Sequence, residues 1–373
     1  MHTRLIAVAA LAALTPVLLH GNVAADNHQN THRRTPHAGL ATVKNGAATT
    51  EAVSLPDAAH NAPSHYQAAT KPFSAAGLTW VGEGDVHASI RTHSDGRWSP
   101  WFALGHGETG PGRAGTALAW TGTSDGVEIT AQVAYGSAQD VRLHLINPGQ
   151  DTYTSGSRGP LAGVDESAAP LPVLSRADWQ ADESQMTWPA EYAEDIKAVT
   201  VHHTATRNDY TPEEVPAILR SIYRFQAVER QWGDIGYNVL VDRFGRAWEG
   251  RAGGVDRAVV GAHAGGFNTG TAGVALIGDT TNEMPTAEAK ETIARFIAYK
   301  LHPYGIDPRG TVQITGGPST SYPAGSTIDV PRVFGHNMTS ATACPGYGLE
   351  IHLDQLRERA AVLGGSVSLA PPV

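Results

Sequence analysis

The chain is poor in the residues that would tie it to several common functions. Among 373 residues there is one cysteine, Cys344, so no internal disulfide can form. Lys and Arg total 27 against 36 Asp and Glu, a formal net charge of −9. No basic run interleaved with aromatics occurs, which argues against an electrostatic nucleic-acid binder. Beyond the amino terminus no apolar run reaches the ~20 residues of a spanning helix. There is no His-Glu-x-x-His segment, which argues against a zinc peptidase of that kind. No internal repeat stands out, and the pairs Gly253-Gly254 and Gly265-Gly266 lack the strand–GxxxxGK[ST]–helix setting of a phosphate loop.

What is present divides the chain. His2 and Arg4 precede an apolar stretch from Leu5 to Leu19, and Val23-Ala24-Ala25 offers small residues for cleavage. This predicts a signal peptide over 1–25. Residues 26–70 lack sustained periodicity and read as a disordered tether. From 71 to 148 short alternating runs meet turn signals such as Asp95-Gly96, which predicts a small all-β domain, read as a sandwich. Its Trp80, Trp98, Trp101 and Trp120 read as core, with a sugar-stacking face as the alternative. A linker follows over 149–172. The second domain, 173–363, interleaves strand candidates (Ala198–Val201, Tyr237–Val241, Gly273–Ile277) with amphipathic helices capped at Thr211 and Thr286. That pattern predicts an α/β fold with a mixed central sheet flanked by helices. Gly310 to Pro331 reads as a loop region, and 364–373 as a tail.

The chemistry gathers around Gly335-His336 and Ala343-Cys344-Pro345-Gly346. The cysteine lies eight positions after His336. Alone, a single cysteine is usually a small buried hydrophobe. A free thiol outside the cell is also an oxidation risk, so metal ligation would explain its presence. Thiolate and imidazole are good zinc ligands, and a catalytic zinc needs about three protein ligands and an open position. His202-His203 closes a strand candidate and offers a third ligand. Neighbours on a strand point to opposite faces, so only one of the two can join.

Six motifs occur in order. They are Val201-His-His-Thr-Ala205, Trp232-Gly-Asp-Ile-Gly-Tyr237, Trp248-Glu-Gly-Arg251, Gly261-Ala-His-Ala-Gly-Gly-Phe-Asn268, Gly273-Val-Ala-Leu-Ile-Gly278 and the His336…Cys344 segment, with Leu174-Ser-Arg-Ala-Asp-Trp179 ahead of them. Together they resemble the peptidoglycan recognition protein family, which shares its fold with zinc-dependent N-acetylmuramoyl-L-alanine amidases. The resemblance covers roughly 173–363; the front β-rich part is more loosely similar to accessory domains of secreted bacterial amidases. It implies zinc on His202, His336 and Cys344, catalytic roles for Tyr237 and Thr342, and substrate contacts from His203, His263 and Asn268. It implies a secreted, monomeric bacterial protein acting on peptidoglycan or muropeptides, with no membrane span after signal cleavage. Two departures stand out. Thr342 occupies the lysine position of phage-type enzymes, and Asn337-Met338 replaces the family's Arg-Asp. A non-catalytic peptidoglycan-binding protein on the same fold is the alternative, and the complete ligand set favours the enzyme.

Overall fold

The computed structural model describes residues 47–55, 63–107, 112–150 and 171–365. The signal-peptide segment, most of the tether, most of the linker and most of the tail lie outside the described residues.

The front domain is one eight-stranded antiparallel sheet. Its strands are β1 (Thr49–Ser54), β2 (Ser64–Val81), β3 (Asp85–Ser94), β4 (Arg97–Trp98), β5 (Phe102–Ala103), β6 (Ala114–Gly115), β7 (Ala119–Tyr135) and β8 (Gln139–Asn147). The tether expectation therefore fails for Thr49–Ser54 and Ser64–Thr70. The start of β2 alternates in exposure, with Ser64, Tyr66, Ala68 and Thr70 on the more buried side, and β1 does not alternate strictly, so hydrophobicity does not betray the period.

These strands hydrogen-bond as one continuous sheet around a common core. The second half of β2, Phe73 to Trp80, is buried on both faces. Phe73, Ala76, Leu78 and Trp80 enter the core of the β domain. Ala75 instead joins a cluster with Ile218, Tyr223 and Phe225 of the other domain. Helix α1 (Val215–Arg224) covers one face of this strand, and the β-domain core covers the other. Gly77 is needed there, because a Cβ would lie 2.8 Å from Phe225 Cζ. Polar contacts cross the same boundary: Trp120 Nε1 donates to Glu214 Oε1 at 3.2 Å, and Arg220 Nε donates to the Pro148 carbonyl at 2.9 Å. Of the four tryptophans, Trp80 and Trp120 are buried, as a core role requires. Trp101 is 43% exposed, and the Arg91 guanidinium lies over both Trp98 and Trp101 at 5.0 and 5.1 Å.

The second domain is built on a mixed six-stranded sheet. Its strands are β9 (Val173–Leu174), β10 (Ala198–His203), β11 (Val239–Val241), β12 (Ala247–Glu249), β13 (Thr271–Leu276) and β16 (Val333–Gly335). Across the sheet their order is β16-β10-β13-β11-β12-β9. Two intervening strands, β14 (Thr311–Gly316) and β15 (Ser326–Pro331), pair as a separate hairpin where a loop was expected over 310–331. Strands β10, β11, β13 and β16 run parallel, and β10 and β13 are buried along their whole length, as strands covered on both faces should be. Helices α2 (Ala287–Leu301) and α4 (Leu353–Gly365) pack on one face. Helix α1 (Val215–Arg224) covers the other and meets the β domain; the short α3 is Tyr347–Glu350. Thr286 caps α2 by accepting from Ala289 N–H. At α1 the reciprocal bond forms, Glu214 Oε2 accepting from Thr211 N–H at 2.7 Å, but the helix begins only at Val215.

Candidate functional site

Parallel strands end together, and ligands gather beyond their carboxyl ends. His202 and His203 close β10, and Val201 pairs with Gly335 at the end of neighbouring β16. His336 therefore leaves the sheet beside His202, with ring centroids 4.7 Å apart. Asn337 N–H donates to the Cys344 carbonyl at 2.8 Å and closes the loop that returns Cys344 to the same point. Cys344 Sγ then lies 3.6 Å from His202 Nδ1. Ligand atoms of His202, His336 and Cys344 all fall within 4.8 Å of one another, and all three residues are buried.

This donor set fits zinc. Zn–N of about 2.0 Å and Zn–S of about 2.3 Å give a tetrahedron with N···S edges of roughly 3.6 Å, the Cys344–His202 separation. Burial, with the charge of His203 adding to it, lowers the His202 pKa from 6.5 to about 3, so the imidazole is neutral and offers a lone pair at ordinary pH.

His203 points the other way, as alternation requires. Its Nδ1 accepts from Thr280 N–H at 3.1 Å. It lines a cavity of about 40 Å³ together with Cys344, Tyr237, Thr204, Gln226 and Arg230. Tyr237 stacks at a tilt against His202, 5.4 Å between centroids. Its position is fixed from two sides. Gly236 N–H donates to Gln226 Oε1 at 2.9 Å, and Arg251 N–H donates to the Tyr237 carbonyl at 2.8 Å. Asp234 anchors the preceding turn, taking bonds from Ile235 N–H, Ala252 N–H and the Arg176 guanidinium.

Three expected roles change. His263 was expected in the substrate groove, but it has no exposed surface. Its Nδ1 lies 3.1 Å from His202 Nε2, and a Cβ at either Gly261 or Gly273 would strike its ring. The glycines of those two motifs thus make room for an imidazole behind His202. Burial, and then the neighbouring His202, pushes the His263 pKa well below its ordinary value. Asn268 is a brace rather than a groove contact, its Oδ1 accepting from His263 N–H and Ala264 N–H, both at 2.8 Å. Thr342 does not line the cavity; its Oγ1 accepts from Cys344 N–H at 3.2 Å and shapes the cysteine turn. In place of the expected Arg-Asp, Asn337 reaches Glu350 Oε2 at 3.3 Å and Met338 is 40% exposed.

Sequence reasoning missed Gln226 and the far wall. Gln226 follows α1 in a π-helical turn over Phe225–Glu229, a distortion that often marks functional sites and that leaves no trace in hydrophobic periodicity. The far wall comes from the other domain: His106, Thr116, Ala117 and Leu118.

Two family models match separate stretches of the chain. Residues 192–347 match the family model described as N-acetylmuramoyl-L-alanine amidase. Residues 29–153 match the Rv3811 N-terminal galactose-binding domain-like model. The chain is 27% identical over 190 residues to peptidoglycan-recognition protein LB of Drosophila melanogaster, 50% of this chain and 68% of that one. It is 32% identical over 153 residues to the human N-acetylmuramoyl-L-alanine amidase, 40% of this chain and 22% of that one. Among solved structures, wild-type Drosophila PGRP-LB aligns at 26% identity and a TM-score of 0.39, covering 49% of this chain and 92% of that one.

Proposed function

The chain belongs to the peptidoglycan recognition protein and N-acetylmuramoyl-L-alanine amidase family, with an N-terminal accessory domain, and on that premise we propose that it is a secreted zinc amidase. It would hydrolyse the amide between N-acetylmuramic acid and the L-alanine of a stem peptide. The observation that carries this reading is the buried His202/His336/Cys344 set, whose Cys344 lines a cavity shared with Tyr237 and His203. The signal-peptide pattern supports action outside the cytoplasm.

Zinc held by His202, His336 and Cys344 would supply a Lewis acid for the scissile carbonyl and a water of lowered pKa. The remaining work falls to the chain's own groups. Tyr237, held by its backbone bonds beside the ligands, donates its hydroxyl proton toward the oxygen on which charge develops. His203 Nδ1 is occupied by Thr280 N–H, and the Nε2–H of that ring can hold a substrate carbonyl. His263 accepts from His202 Nε2–H and thereby presents the Nδ1 lone pair toward Cys344 and His336. Thr342 keeps Cys344 turned inward. The cavity of about 40 Å³ admits water, whereas a pocket for a small organic ligand spans roughly 300–1,000 Å³.

Mass spectrometry of purified peptidoglycan treated with zinc-replete protein tests the proposal. Stem peptides with a new L-alanine amine, absent after chelation and absent with Cys344→Ser, are the expected result. Co-sedimentation with the wall and no new amine under any condition would replace the enzyme with a binding protein.

A further inference from the structure

A second group of metal-ligating side chains lies outside this cleft. Asp85 and His87 sit two residues apart on β3 and face the same side of the strand. His106 joins them from the segment that follows β5, where it bridges to Thr116. Asp85 Oδ2 lies 3.1 Å from His87 Nε2, and Asp85 Oδ1 lies 3.2 Å from His106 Nδ1. All three ligand atoms fall within 4.8 Å of one another.

We propose that Asp85, His87 and His106 form a second site for a divalent first-row transition metal. One carboxylate and two neutral imidazoles suit such an ion. With metal–ligand bonds of about 2.0–2.2 Å, tetrahedral N···O edges are roughly 3.3–3.5 Å, close to both separations. The carboxylate is nearly buried, its side chain 12% exposed, while each imidazole side chain is 64% exposed. A fixed anion under two accessible nitrogens leaves the outer positions open to water. The turn ahead of Asp85 is hydrogen-bonded on both sides. Trp80 Nε1 donates to the Gly84 carbonyl at 2.8 Å, and Gly84 N–H donates to the Ser137 carbonyl at 2.8 Å, just ahead of Asp85. His106 also lines the cavity that holds Cys344 and Tyr237. An ion here would tie that wall of the cleft to β3.

Cobalt(II) titration of the metal-stripped full chain, followed by elemental analysis after desalting, tests the site. Wild type should retain two cobalt ions per chain. Cys344→Ser should retain one and lose the sulfur-to-cobalt charge-transfer band. The double variant His87→Ala/His106→Ala should retain one and keep that band. Asp85→Asn has the shape of aspartate without its charge, and should likewise lose only the ion without sulfur ligation. Because it alters no packing, it decides the matter if the double variant misfolds. The proposal fails if Asp85→Asn still retains both ions. It also fails if wild type retains a single ion that Cys344→Ser removes.

Discussion

Removing the His263 imidazole should weaken zinc binding without touching a ligand. His263 Nδ1 lies 3.1 Å from His202 Nε2, and both rings have no exposed surface. In His263→Ala the His202 Nε2–H loses its acceptor in a dry setting. A buried donor left unpaired costs roughly 1–3 kcal/mol. At 1.4 kcal/mol per tenfold this is a loss of roughly 5- to 150-fold in zinc affinity, the range typical of outer-sphere partners of metal-bound histidine. His263→Asn is the partner variant, because its amide oxygen can take the place of Nδ1 as acceptor. Competition against a chelator of known affinity reads the effect directly, and amidase turnover at saturating zinc shows whether chemistry survives once the metal is loaded. The expected order is wild type, then Asn, then Ala. Equal affinity in wild type and His263→Ala would refute the role, as would an Asn variant no better than Ala.

Four further outcomes are expected. Cys344→Ser should lose both zinc and activity, and retention of both would remove Cys344 from the metal site. Tyr237→Phe should lower turnover by roughly 100-fold, as loss of an oxyanion donor does, with zinc content unchanged; an unaltered rate would dismiss its hydroxyl. In the metal-free protein, the His202 pKa of about 3 in the fold against 6.5 unfolded means that the unfolded chain takes up the extra proton between those values. Stability should then fall as pH drops from 6.5 toward 3, by up to about 1.4 kcal/mol per pH unit. Denaturant titrations should show a shallower slope in His202→Gln, and an unchanged slope would contradict the assignment. Gly77→Val should destabilise the chain by roughly 1–3 kcal/mol through overpacking on Phe225, and a melting temperature equal to wild type would show that the contact yields.

Much of the second domain was legible because its signals are local. The apolar run of β13 and the α2 cap at Thr286 each declare themselves within a few residues. The alternation rule also separated His202 from His203, which now face opposite ways. The site's periphery was not legible. His263 looks like a polar loop residue in sequence, and only the space left by Gly261 and Gly273 turns it inward. The β14–β15 hairpin was hidden by Thr, Gln and Asp on its outer face and by the glycine and proline around it. β1 was missed because it does not alternate strictly, and the start of β2 because Ser64, Tyr66, Ala68 and Thr70 give no steady hydrophobic contrast. Nothing in the linear sequence connects Leu118 with Cys344. Their meeting depends on a boundary between domains, and sequence patterning describes each domain singly.

That boundary bears on any attempt to recombine the chain. Ala75 and Gly77 share the face of β2 that lets Phe225 and α1 lie close. The second domain grafted behind a different front domain would bring its aromatic wall without this matching surface, and would expose Ile218, Tyr223 and Phe225 to water. Exchange between homologues should therefore succeed when the cut falls before β1 and fail when it falls between β8 and β9. The unit of inheritance is the pair of domains.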